Sequence, residues 1–253
     1  MKKERSILFL FAHPDDETFT SGIAISKYAA ETKTQLYLIS ATKGQAGKAG
    51  DPPLCKPSEL AAYREQELLR AANVLGLSRV ETWEYEDKHL SDVPMSELVA
   101  NIHEAIVRYQ PDVVVTFAPH GISGHPDHQA ISAAATQAVQ TLPAGSSVRK
   151  LYYATRASDT VPTGGKPIFS DPYATITTVI QGPAYVKQVA AALGEHKTQH
   201  LSVERVFPGA ISGDITHVPP QNHYILAWSN LPGYAANPQD KEGDFFAGFP
   251  LDQ

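Results

Sequence analysis

The chain has 253 residues, 42% of them hydrophobic, and a formal net charge of −6 from 21 basic and 27 acidic side chains. That balance, without a long run of one sign, weighs against nucleic acid or an anionic membrane as the partner. A single cysteine, Cys55, excludes an internal disulfide framework. No stretch approaches the ~20 apolar residues of a membrane span. Met1–Arg5 resembles a signal n-region only faintly, because the apolar run behind it is short and ends in charge. A soluble cytoplasmic protein is expected.

Ile7 to Ala12 is wholly apolar and is followed by Pro14, the pattern of a strand buried on both faces. Thr18 to Ala30 reads as a helix and Thr34 to Ser40 as a second strand. Residues 41–57 hold Gly44, Gly47, Gly50, Pro52, Pro53 and Pro57 and read as a long loop, a length that tends to be functional or mobile. Ser58 has the character of an N-cap, opening a helix that runs to Leu75 and stops at Gly76. Val80 to Trp83 is a third strand. Leu98, Ile102, Ala105, Ile106 and Tyr109 fall at helical spacing within Met95–Tyr109, which Pro111 ends. Val113–Phe117 is a second fully apolar strand, and Pro126–Gln140 a helix. The alternation predicts an α/β fold with a doubly wound parallel sheet. Beyond Lys150 the pattern loosens. Leu151–Ala154, Ala174–Ile180 and Tyr224–Trp228 read as strands, Tyr185–His200 as one helix, and Ser229–Gln253 as an irregular strap.

Two strand ends carry chemistry. The first delivers His13, Asp15, Asp16 and Glu17. The second, after Phe117, delivers His120, His125, Asp127 and His128. Unpaired charges of this kind cost several kcal/mol to bury, on the order of their desolvation, and a bound cation is the obvious partner. In a doubly wound sheet the two ends can lie side by side, at the edge where ligands bind. Two imidazoles, one carboxylate and a water suit a catalytic zinc site left open at one position. The same donors also accept a ferrous ion.

His13-Pro14-Asp15-Asp16-Glu17 followed by His125-Pro126-Asp127-His128 resembles the LmbE-like (PIG-L) zinc de-N-acetylases, whose members act on N-acetylglucosaminides of mycothiol and bacillithiol synthesis and on N-acetylglucosaminyl phosphatidylinositol. The resemblance covers roughly the first 140 residues. It implies a mostly parallel, Rossmann-like sheet flanked by helices, in one domain over 1–253 with a metal-site core (1–145) and a substrate-shaping part (146–253). It implies His13, Asp16 and His128 as ligands of Zn2+ (or Fe2+), and Asp15 as the general base on the water they activate. His125 would stabilise the oxyanion or protonate the amine, with Asp127 holding its ring. Arg64 would bind sugar hydroxyls, and Glu17 would support the site from behind. A looser family pattern runs from Lys187 to His196 and Gln199. Ser123 departs from the family, some of whose members carry a mobile tyrosine there. The expected activity is removal of acetyl from a small N-acetylglucosamine-type substrate, by a chain free to form a homo-oligomer. Rivals are hydrolysis of another amide on the same scaffold, a nucleotide-binding module and a non-catalytic carbohydrate-binding domain. The first strand lacks a following Gly-x-Gly-x-x-Gly turn, which counts against the nucleotide. Asp15 counts against the third, because a closed structural site needs no spare base.

The remaining candidates have plainer readings. Arg64 could pair with Glu67 on its own helix. His120 reads as a loop residue and Cys55 as a free thiol. Phe245, Phe246 and Phe249 read as core or contact residues.

Overall fold

The computed structural model describes residues 4–158 and 168–250. The first three residues of the amino-terminal run and the last three of the expected strap lie outside them. In chain order the elements are β1 (Ser6–Phe11), α1 (Asp16–Glu31), β2 (Gln35–Thr42), α2 (Leu60–Leu75), β3 (Arg79–Tyr85), α3 (Met95–Tyr109) and β4 (Val113–Phe117). A single turn, α4 (Gly121–Gly124), leads into α5 (Pro126–Gln140). Then follow β5 (Lys150–Thr155), β6 (Thr178–Gln181), α6 (Val186–Glu195), α7 (His200–Val206) and β7 (Gln221–Ser229).

The strands form one sheet in the order β3-β2-β1-β4-β5-β7-β6. The first five are parallel. β7 runs antiparallel to both β5 and β6, so the sheet is mostly parallel, as expected. β1 and β4, the two wholly apolar runs, are buried at every residue and form the centre. The chain winds away from them in opposite directions, which makes their shared carboxyl edge a topological switch point. Ile7 pairs with Val113, so the turn after β1 and the loop after β4 emerge side by side. Helices α1, α2 and α6 pack on one another, and α3 packs on α5. The five apolar positions of α3 are all buried.

The structure departs from the sequence reading in three places. Ser58 does not cap α2. It lies in a turn of 3-10 helix, Pro57–Glu59, where the Glu59 carboxylate accepts from the Lys56 N–H. Ala174–Ile180 is not one strand: Tyr173–Thr175 is a helical turn and the ladder begins at Thr178. Tyr185–His200 is not one helix. α6 ends at Glu195, and His196 adopts φ −81°, ψ 60° before the chain turns into α7. The reason for that break lies in the site.

The strap after β7 is irregular but firmly seated. Phe245 is fully buried, stacked on Tyr28 with ring centroids 5.4 Å apart. Lys150 is also fully buried; its Nζ donates to the Tyr152 hydroxyl at 2.9 Å and the Tyr234 hydroxyl at 2.6 Å. Burial lowers the Lys150 pKa to about 8, against the pull of Glu242. Tyr152 in turn donates to Glu242 at 2.7 Å, which ties the strap to β5.

Candidate active site

The switch point brings the two charged clusters together. His13 Nδ1 lies 3.0 Å from His128 Nε2. Asp16 reaches both: Oδ2 is 3.6 Å from His13 Nδ1, and Oδ1 is 3.4 Å from His128 Nε2. Two donors about 2.1 Å from a tetrahedral zinc lie about 3.4 Å apart, so the three edges suit one shared ion. The tautomers agree. His13 Nε2–H is engaged by Asp87 Oδ1 at 3.0 Å and Asp127 Oδ2 at 3.1 Å, which leaves Nδ1 with its lone pair. His128 Nδ1 donates to the Gly121 carbonyl at 2.9 Å, which leaves Nε2 with its own. Two buried ring nitrogens and a carboxylate within 3.6 Å of one another suit a cation there. With protons alone, hydrogen bonds from Asp127 and Asp87 overcome burial and raise His13 to about 10. Burial, and then the His13 charge, hold His128 near 3. The donor set therefore fits a divalent metal.

Local sequence explains the positioning. Phe117, the last residue of β4, stacks flat on His128 at 4.1 Å and 5°. Gly121 has φ 67°, and a Cβ there would lie 2.8 Å from His128 Cβ, so glycine is what lets its carbonyl reach the ring. Ile122 follows at φ 58°, ψ −55°, a strained conformation for a β-branched residue, directly before the second motif.

Asp15 also has left-handed backbone, at φ 116°, ψ −28°, and its side chain makes no capping bond to α1. Its carboxylate therefore stays available in a pocket of about 400 Å³ that His13, Asp16, His125, His128 and Arg64 also line. Burial pushes the Asp15 carboxyl up to about 7, while the Arg64 guanidinium pulls it down. Arg64 lies only 3% exposed. Its Nη1 donates to the Gly44 carbonyl at 2.9 Å, and its Nη2 donates to the Pro14 carbonyl and lies 3.5 Å from Asp15 Oδ2. Nε has no partner. A Cβ on Gly44 would stand 2.1 Å from Nη1, so the long loop needs glycine there. Arg64 does not pair with Glu67, whose carboxylate binds the Thr198 N–H and hydroxyl. These contacts hold the turn that carries Asp15, and Arg64 also lines the pocket.

The expected grip of Asp127 on the His125 ring is corrected. The Asp127 carboxylate, 0% exposed, is taken by His13 and by the backbone N–H groups of Lys88 at 2.7 Å and Leu90 at 3.2 Å. His125 Nδ1 instead accepts from the Asp127 backbone N–H at 3.1 Å, capping α5. That bond fixes the neutral tautomer with Nε2–H free. Burial, then the neighbouring imidazoles, hold the His125 pKa below its ordinary value. His125 lies with His13 and His128 in a group in which one ring nitrogen of each falls within 4.8 Å of the others.

Sequence reasoning missed Asp87, which is 4% exposed, binds His13 and accepts from the Ala46 N–H at 3.0 Å. Burial opposes its charge, but the His13 bond wins and holds its pKa near 2. The only signal was a carboxylate just past a third strand end. Glu17 accepts the Asp15 N–H at 3.1 Å and pairs with His196 Nε2 at 2.9 Å, both residues 1% exposed. Reaching Glu17 is what turns His196 inward and ends α6. Gln199 lines the pocket and donates to the Lys48 carbonyl at 2.8 Å. His120 is a loop residue held by Asp171 at 3.0 Å. Ser123 Oγ lies 3.4 Å from His128 Nδ1 and accepts from the His125 N–H at 3.4 Å.

A family model described as GlcNAc-PI de-N-acetylase (PIG-L) matches residues 8–139. A 1D-myo-inositol 2-acetamido-2-deoxy-alpha-D-glucopyranoside deacetylase from Kineococcus radiotolerans is 30% identical, over 98% of this chain and 84% of its own length. A probable N-acetyl-alpha-D-glucosaminyl L-malate deacetylase from Bacillus anthracis is 37% identical, but over 56% of this chain and 63% of its own. Among solved structures, the N,N'-diacetylchitobiose deacetylase of Pyrococcus horikoshii superposes with a TM-score of 0.65 at 19% identity, covering 88% of this chain and 83% of that one. At that identity the likeness speaks for the fold.

Proposed function

The chain belongs to the PIG-L, or GlcNAc-PI de-N-acetylase, family, and from that premise we propose that it is a zinc-dependent hydrolase removing the acetyl group from an N-acetylglucosamine-type glycoside. The products are acetate and the free amine. The observation that carries the reading is the convergence of His13, Asp16 and His128 beside a half-buried carboxylate, Asp15, that faces the same pocket and is paired with Arg64 alone at 3.5 Å among the described residues. A closed structural site would have no use for that carboxylate.

His13, Asp16 and His128 would hold the ion, with Asp87 and Asp127 fixing the His13 ring from behind. A divalent metal bound there supplies Lewis acidity toward the acetyl oxygen and lowers the pKa of water to about 7. Asp15 takes the proton of the attacking water; with burial holding its carboxyl up to about 7, roughly half is ionised at neutral pH, and that form is a stronger base than an ordinary carboxylate. His125 offers Nε2–H to the oxygen on which negative charge builds, and needs no protonation to do so. The proton held by Asp15 then serves the departing nitrogen. Arg64 sets the position and basicity of Asp15 through the Pro14 carbonyl and its own charge.

Residues 1–145 and 146–253 are read as one catalytic unit, the first supplying the metal residues and the second shaping the substrate. Among the described residues no helix is long and apolar enough to cross a membrane. That agrees with a small-molecule substrate in a cytoplasmic setting. The test is acetate release from N-acetylated glucosaminides by protein of measured metal content. Chelation should abolish it and zinc should restore it. Protein carrying one metal per chain but inert toward the whole series, or activity indifferent to chelators, would overturn the reading.

A further inference from the structure

Phe19 lines the metal pocket on one side and a second cavity, of about 360 Å³, on the other. Apolar side chains, among them Ile23, Ile122, Val189 and Phe207, share its wall with threonines, amides and two histidines, and most of the exposed surface is apolar. Arg156, just past the carboxyl end of β5, is the one arginine or lysine among the described residues lining it. The guanidinium carbon lies 5.8 Å from the Phe207 ring centroid. Among the described residues no carboxylate pairs with it. Asp171, which is bonded to the Arg156 backbone, spends its own side chain on His120 and Thr155. Arg156 is half-buried, and that partial burial lowers its pKa. No Asp or Glu stands among the described residues lining the cavity, in a chain with a net charge of −6.

A half-buried guanidinium at a mostly apolar surface with no counter-ion loses part of its hydration without gaining a partner charge. An arriving anion would supply the missing charge and match the planar fork of N–H donors. The cavity also opens from the same sheet edge as the metal pocket, a side chain's width from it. We propose that this cavity is the aglycone subsite and that Arg156 selects N-acetylglucosaminides whose aglycone carries a carboxylate or a phosphate. The proposal rests on the de-N-acetylase reading of the neighbouring pocket. It adds a choice that the two named relatives leave open, since an inositol glycoside is neutral and a malate glycoside is not.

The test uses three N-acetylglucosaminides of one anomeric form, carrying 4-carboxyphenyl, 4-phosphonooxyphenyl or the neutral, isosteric 4-carbamoylphenyl group. On the zinc-loaded protein at least one anionic glycoside should exceed the neutral one by about tenfold or more in kcat/KM, the scale of a charge-assisted bond. The better of the two tells which anion fits. Arg156→Gln should bring that ratio close to one, and Arg156→Lys should keep part of it. A ratio near one in the unaltered protein, or one unchanged in Arg156→Gln, overturns the subsite. If none of the three releases acetate, the deacetylase reading falls, and calorimetric binding of the same compounds still decides the subsite. Tighter binding of an anionic glycoside that Arg156→Gln removes supports it, and equal or absent binding overturns it.

Discussion

Asp127→Asn separates two jobs that a carboxylate in the second motif can do. The side chain accepts three bonds: Oδ2 takes His13 Nε2–H and the Lys88 N–H, and Oδ1 takes the Leu90 N–H. An asparagine best keeps its oxygen at the Oδ2 position, so its amide nitrogen meets the Leu90 N–H, donor against donor. One buried bond is lost and a buried donor is stranded, which costs about 1–3 kcal/mol. For a domain of this size that lowers Tm by roughly 2–12 °C. His13 also loses a charged acceptor for a neutral one. Its Nδ1 becomes a poorer donor, and metal affinity should fall by about 10–100-fold. The assay is competition for zinc against a chelator of known affinity, alongside thermal unfolding of the metal-loaded protein. At saturating zinc, kcat should largely recover. Unchanged metal affinity, together with a kcat loss that zinc does not rescue, would refute the reasoning and return Asp127 to service of His125.

Asp15→Asn should retain metal and fold but lose about 10²-fold or more in kcat, as for a removed general base; near-normal turnover would contradict the role. His125→Ala should lose about 10²–10³-fold in kcat, the scale of an oxyanion donor, with zinc content unchanged; protein stripped of zinc would make His125 a ligand. Arg64→Met removes the cation that lowers the Asp15 pKa, so that pKa rises further. Because the working form of Asp15 is the ionised one, the acid limb of the kcat/KM profile should move to higher pH. An unmoved limb would show that the Arg64 charge does not reach the base.

What could be read from the sequence followed how local its signals were. The unbroken apolar runs of β1 and β4, with charges at their ends, gave both the centre of the sheet and the metal cluster. The helices whose stripe and stop signals agree, Met95–Tyr109 and Pro126–Gln140, came out with their observed bounds. Asp87 was invisible because it sits in Glu84-Tyr85-Glu86-Asp87, which looks like any solvated acidic run. Only the packing of the β3 end toward His13 distinguishes it. The kink at His196 was hidden for a related reason. Local propensity continues the helix, and the force that ends it comes from Glu17, 179 positions away. Asp127 misled in another way, since His125 and His128 flank it in the same motif, yet its carboxylate reaches across to His13 at the end of β1.

The seating of Phe245 bears on how the chain must fold. The Phe245 backbone N–H donates to the Tyr28 hydroxyl across 217 positions of sequence, and its ring also contacts Tyr152 and Tyr224. Until that residue has left the ribosome, Tyr28, Tyr152 and Tyr224 have no cover, however early the central strands pair. Closing so long a loop adds little entropy over a shorter one, because the cost grows only logarithmically. The hazard is one of time, since an unfinished chain presents an aromatic patch on an otherwise native-like sheet and is prone to associate through it.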